Sequence, residues 1–171
     1  MLVGIDPGLN GAIAFLDPDA CEIRILDMPV NEFVAGKKNK SEIDPYGIAG
    51  AFRDQGIAHV YIEEVFSSPQ MGVVSAFNFG EGKGMVRGVI AALGIPMTQV
   101  KPQKWKKDLR VPADKKGAVK RAVELIPDAA PKFKGPRGGL YDGRAEAAMI
   151  ALYGAFDLGR TPTRPVEIVE E

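Results

Sequence analysis

Leu2-Val3-Gly4-Ile5-Asp6-Pro7-Gly8-Leu9-Asn10-Gly11-Ala12-Ile13-Ala14-Phe15-Leu16 is the stretch on which the fold turns. Residues 2–5 form an apolar run closed by a carboxylate, and Pro7 to Gly11 have the composition of a turn. Gly11 to Leu16 reads as a second strand. Asp17-Pro18-Asp19 turns the chain again and Glu22 to Met28 reads as a third, so the N-terminal part is expected to be an antiparallel meander. A carboxylate that closes a buried strand is costly to ionise unless a positive charge answers it. Asp6 is therefore a functional candidate from the outset.

Outward from the meander, residues 31–44, with Gly36-Lys37-Lys38-Asn39-Lys40, lack a usable period and are expected to form a mobile loop. Asp44 before Pro45 is an N-cap with proline at the first helical position, which predicts a helix to about Gln55. Ala58 to Glu63 predicts a fourth strand. Val73, Phe77, Met85, Val89, Ile90 and Leu93 have helical spacing, interrupted by glycines at 80, 82, 84 and 88. Each glycine costs about 1 kcal/mol relative to alanine, so this helix is expected to bend or to bring another backbone close. Ile95 to Val100 reads as a fifth strand, Asp114 as the cap of a helix reaching Leu125, and Pro127 to Gly139 as a loop. Ala145, Met149, Leu152 and Phe156 form the apolar stripe of a last helix. The order β-β-β-α-β-α-β-α-α describes an α/β fold with a mixed five-stranded sheet and helices on both faces. Residues 1–157 are expected to form one domain and residues 158–171 a flexible acidic tail.

The chain of 171 residues suits a single domain. Its 46% hydrophobic and 26% charged content is that of a globular protein, and no apolar run approaches the length of a bilayer span. The start lacks the pattern of a secretory signal, and a lone cysteine, Cys21, cannot staple a secreted fold. The expected location is a reducing cytoplasm. Lysine plus arginine balance aspartate plus glutamate at 22 each, so net charge gives no nucleic-acid signal. From Lys101 to Arg121, however, nine basic residues stand against Asp108 and Asp114. That segment reads either as a phosphate-binding surface or as a solvated helix face.

Acidic groups punctuate three elements at their ends: Asp6, Glu63-Glu64, and the pair Asp142 and Glu146. The last two are spaced i, i+4 and project from one side of a helix. Singly, Asp6 could open a turn, Asp142 could cap a helix and Glu146 could be solvated. Together they would repel one another, and a divalent cation resolves that repulsion. All-oxygen ligation selects magnesium, with manganese able to substitute, whereas one cysteine and one histidine, His59, disfavour zinc. His59 is read as a strand-edge residue without a ligand role. Four carboxylates around two hard ions would suit phosphodiester hydrolysis.

Gly4-Ile5-Asp6-Pro7-Gly8 with Gly11-Ala12-Ile13-Ala14, then Ile62-Glu63-Glu64-Val65-Phe66, then Asp142-Gly143-Arg144-Ala145-Glu146-Ala147-Ala148-Met149-Ile150-Ala151 resemble the RuvC family of Holliday-junction resolvases in order and spacing. The resemblance spans about residues 2 to 155. Leu93-Gly94-Ile95-Pro96, Val100-Lys101-Pro102-Gln103-Lys104-Trp105-Lys106 and Asp114-Lys115 resemble its short phage and prophage branch. The resemblance implies an RNase H-like homodimer that makes paired nicks across a four-way DNA junction. It implies that Asp6, Glu63, Asp142 and Glu146 are the catalytic, metal-holding acids. Glu63 is preferred to Glu64 because Val65-Phe66 follow in the family's frame, and by alternation only one of the two can face Asp6. Asp142 departs from RuvC itself, whose helix acids are spaced i, i+3, and Tyr141 stands where this branch often has histidine.

The same resemblance makes Phe66 the aromatic that enters the junction centre, with a core phenylalanine as the alternative, and aligns Lys116 with a lysine near the scissile phosphate. Lys101, Lys104, Lys106, Lys107, Lys115 and Arg144 complete the expected DNA-binding set. Trp105 is read as packing between the basic segment and the sheet. The Asp6-to-Gly11 loop also resembles the phosphate loop of actin-like ATPases, but those enzymes need two lobes and no second loop exists here. A broader branched-DNA or flap nuclease, or a non-catalytic branched-DNA binder, is the nearer alternative.

Overall fold

Strand β1 (Leu2–Asp6) pairs antiparallel with β2 (Ala12–Asp17), and β2 with β3 (Glu22–Asp27), so the expected meander forms. A computed structural model describes residues 1–36, 38–68, 70–135 and 138–170. On the other side of β1 lie β6 (His59–Glu63) and then β7 (Met97–Val100), both parallel to it. His59 thus starts an internal strand rather than lying on an edge one, and its Nε2 shares a 2.8 Å hydrogen bond with Thr98.

Each β1 residue from Leu2 to Ile5 is buried, because both faces of the sheet are covered. On one face Val3, Ile5, Ile13, Phe15 and Ile62 pack against α1 (Pro45–Phe52) and α2 (Val73–Ala92). On the other, Leu2, Ala14, Leu16 and Tyr61 meet α4 (Lys115–Leu125) and α5 (Asp142–Asp157). Burying Met149 and Ile150 of α5 contributes about 1.5–3 kcal/mol each. The apolar stripe expected on α5 is too narrow: residues on nearly all its sides are buried, whereas Phe156 is exposed. Such a helix is central to a fold rather than laid on its surface. Gly4 lets it come that close, since a Cβ there would stand 2.2 Å from the Ala151 nitrogen.

Three further expectations are corrected. Residues 31–44 do not form a loop: β4 (Val30–Ala35) and β5 (Lys38–Ile43) make an antiparallel hairpin, turned at Gly36 with φ 67°. Five of the six β4 residues are exposed, so no alternation of apolar and polar residues marked the strand; Lys37 lies outside the described residues. The segment expected to be a loop at 127–139 begins as a 3-10 helix, Pro127–Phe133, anchored by buried Ala129 and Phe133, while residues 136 and 137 lie outside the description. The acidic tail is anchored too: β8 (Glu167–Ile168) pairs parallel with β3 and Val166 is buried. The sheet therefore has six strands in the order β7-β6-β1-β2-β3-β8, not five.

Helix α2 is continuous through its glycines. Only at Gly82, of those four, would a Cβ meet a neighbour, Ile43 at 3.0 Å, while Gly80, Gly84 and Gly88 face open space. A short helix α3 (Pro102–Asp108), unforeseen, lies within the basic segment. No helix among the described residues is long and apolar enough to cross a membrane.

Candidate active site

Parallel pairing aligns Ile5 with Ile62, so the next residues, Asp6 and Glu63, end adjacent strands side by side. Ile5 and Ile62 face α1 and α2. By alternation Asp6 and Glu63 face the α5 layer instead. Helix α5 begins at Asp142, directly against the loop after Asp6: a Cβ on Gly143 would lie 2.3 Å from the Asn10 carbonyl oxygen. Asp142 and Glu146, both half-buried, flank buried Ala145 there. The fold thus brings the four expected acids from three elements to one end of the sheet.

Their electrostatics show that proximity. Burial, then the charges of Glu146 and Glu63, push the Asp6 carboxyl up to about 7, with Asp142 adding to the rise. The Gly8 N–H, donating to Asp6 Oδ1 at 3.3 Å, opposes the shift. Glu63, only 6% exposed, is likewise raised by burial and then by Glu146. It is held by the indole of Trp105, whose Nε1–H donates to Glu63 Oε1 at 3.0 Å. Trp105 packs as expected, fully buried, but this hydrogen bond was not legible in the sequence. A lone tryptophan beside basic residues gives no sign of which carboxylate it meets. Glu64, one residue past β6, donates its N–H to the Val100 carbonyl at 2.8 Å.

Two lysines expected to meet DNA phosphates meet these acids instead. Lys106 Nζ lies 2.7 Å from Glu146 Oε1, and Lys115 is ion-paired with Asp142. Among the described residues no three carboxylate, imidazole or thiolate side chains are grouped so as to hold a metal ion. The four expected acids are thus brought to one end of the sheet, where Lys106 and Lys115 pair with two of them. Without another cation, an ammonium is the nearest charge that can offset a crowded carboxylate.

Arg144 also has a protein partner, donating from Nε and Nη2 to the Asp27 carboxylate at 2.5 and 2.6 Å, and its guanidinium stacks 4.1 Å from the Tyr141 ring centre. Lys104 pairs with Asp108 at 3.2 Å. Lys101, Lys107 and Lys116 are exposed. Phe66 is 71% exposed with Lys83 Nζ 5.1 Å over its ring, which excludes the core alternative.

No protein-family model and no curated protein matches the sequence. Solved structures do match. RuvC of Thermus thermophilus in complex with a Holliday junction substrate matches with a TM-score of 0.60 at 16% identity, over 92% of this chain and 94% of that one. A second structure of the same organism's RuvC gives 0.58 at 15%, over 94% and 98%. The yeast mitochondrial Holliday junction resolvase gives 0.52 at 15%, over 88% and 75%. These likenesses establish that the chain has the RNase H-like fold of the RuvC resolvases.

Proposed function

We propose that the chain is a divalent-metal-dependent endonuclease that resolves four-way DNA junctions by paired nicks, acting as a homodimer. The observation that carries this reading is the pairing of Asp6 with Glu63 at the ends of adjacent strands, faced by Asp142 and Glu146 of α5. A cluster of mutually repelling carboxylates lowers stability and is retained where a ligand needs it. The donor set is all oxygen, which suits magnesium or manganese, and Asp6, Glu63, Asp142 and Glu146 are the residues that would hold the ions. Bound there, the metal would supply an activated water and stabilisation of the leaving oxygen.

The chain's own residues then have distinct tasks. Trp105 holds Glu63 in place at the end of its strand by donating to Oε1. Lys106 and Lys115 offset Glu146 and Asp142 in the metal-free protein and become available to phosphates once another cation takes their place. Lys101, Lys104, Lys107 and Lys116 extend a basic surface for the backbone, with Arg144 beside the acids. Phe66 offers an exposed ring on which a junction base can stack. Val73 and Phe77, together with the glycines at 80, 84 and 88, form an uncovered face of α2 that supports dimerisation of two copies on a two-fold substrate.

Incubating the protein with four-way junctions, forks, flaps and duplex, with and without magnesium, tests the reading. Symmetric metal-dependent nicks in the junction are expected, and linear product released directly from a cruciform plasmid. Binding without nicking at any metal concentration would favour the second reading, a non-catalytic branched-DNA binder, which the lysine-paired acids support. Nicked circles accumulating from a protein of monomeric mass would leave a nuclease and remove the resolvase.

A further inference from the structure

The loop that follows Asp6 is one wall of a cleft of about 430 Å³, closed by the β4–β5 hairpin and by one face of α2. Its volume is in the range of small-ligand sites. Ser75, Asn78, Phe79, Gly82 and Met85 line it from α2, at the spacing of a single helix face. That face differs from the uncovered one carrying Val73 and Phe77. Phe33 and Phe79 supply aromatic surface and Met85 a polarizable thioether. Asn78 presents both an amide donor and an acceptor, and Lys40 brings a cation. Glu42 and Glu81 line the cleft as well.

We propose that this cleft receives one unstacked nucleobase from the strand being cut, preferring a base with an exocyclic amine; the proposal rests on the branched-DNA reading above. Aromatic surface with a two-way amide suits a flat heterocycle with donors and acceptors on its edge. The two carboxylates repel a phosphate but accept from an amine, which favours a base over a backbone phosphate in the cleft itself and disfavours thymine. Lys40, the cation in the cleft lining, would answer the phosphate of the same nucleotide. Position supplies the last argument: the cleft wall at Pro7 and Gly8 adjoins Asp6, and the Gly8 N–H is bonded to its carboxylate. Asp6 faces the α5 layer and the cleft lies on the α2 side, but both meet at the Pro7–Gly8 loop, so a strand that rounds this end of the sheet from Asp6 would reach the cleft. The hairpin, read from sequence as a loop, becomes the element that makes the pocket.

The test is a protein–DNA cycle. Junctions carry an abasic residue in turn at each position flanking the mapped nick, and affinity in chelator and nicking rate in magnesium are measured. For the wild-type protein one position is expected to lose about fivefold or more, since stacking of one base is worth at least roughly that. Asn78→Trp, which fills the cleft, is expected to lose a similar factor on the intact junction and nothing further from the abasic residue. Circular dichroism checks its fold, and Asn78→Ala, which removes the amide alone, is read in the same cycle. A wild-type protein that binds and nicks with a flat abasic scan overturns the cleft and leaves the nuclease. A change of solution mass in Asn78→Trp with abasic positions neutral makes the cleft an interface between copies and overturns the proposal. Failure of the wild type to bind branched DNA overturns both readings.

Discussion

Asp6→Asn should make the metal-free protein more stable while abolishing nicking. Asparagine keeps the Oδ1 acceptor that the Gly8 N–H uses, so the exchange removes a charge without removing a hydrogen bond. The native carboxyl is pushed from 3.8 to about 7, mainly by burial and then by Glu146 and Glu63. Below about pH 4 it is neutral in both folded and unfolded chains and costs nothing. As pH rises from about 4 to about 7 the unfolded chain releases this proton while the folded one retains it, so stability falls by about 1.4 kcal/mol per unit. Above about 7 both forms are ionised and the deficit levels off near 4 kcal/mol, an upper figure because Asp6 is not wholly buried. Asparagine escapes this loss. Urea unfolding in chelator across that pH range should show a gain that is small near pH 4, grows through the window and is flat beyond it. A gain independent of pH, or a loss, would refute the raised Asp6 carboxyl that burial and the neighbouring acids produce.

Glu63→Gln should also abolish nicking with junction affinity kept or improved, because glutamine retains the acceptor for Trp105; Glu64→Gln should be far milder in the same gel assay. Trp105→Phe should lower stability by about 1–3 kcal/mol through the unpaired buried oxygen it leaves on Glu63, read by thermal unfolding. Reversing Lys115 and Lys116 to glutamate should weaken junction binding and flatten log K against log salt by a little under one unit for each phosphate no longer neutralised; an unchanged slope returns the segment to a solvated face. Phe66→Ala should impair junction opening, followed with a base-analogue fluorophore, with little change in melting temperature, since the ring is exposed.

Wherever one pattern governed one element, the fold was legible in the sequence. The meander, the Asp44 and Asp114 caps, and the carboxylates at three element ends all follow from local chemistry, and the structure has them. Asp6 and Glu63 could be matched because parallel strands align their C-terminal ends. What escaped reading depends on partners remote in sequence. The β4–β5 hairpin is exposed and carries no alternation, and β8 is two residues long and owes its existence to β3. The ion pairs Lys106–Glu146 and Lys115–Asp142 join residues that no spacing rule connects. Phe156 failed for the opposite reason: helical periodicity assigns a stripe, but α5 is enclosed on nearly all sides except at its end.

The short pairing of residues 167 and 168 with β3 has a consequence for self-association. The Glu167 N–H donates to the Cys21 carbonyl and the Val169 N–H to that of Ile23, both at 2.9 Å, so these bonds occupy backbone that β3 would otherwise present along the sheet margin. Arg160 and Arg164 pin the approach through Asp19 and the Ala20 carbonyl. An unpaired margin is a template on which another chain can add a strand. Removing the last dozen or so residues would thus take away none of the four clustered acids and still change the protein's solubility, by opening a row of amides and carbonyls to intermolecular β-pairing.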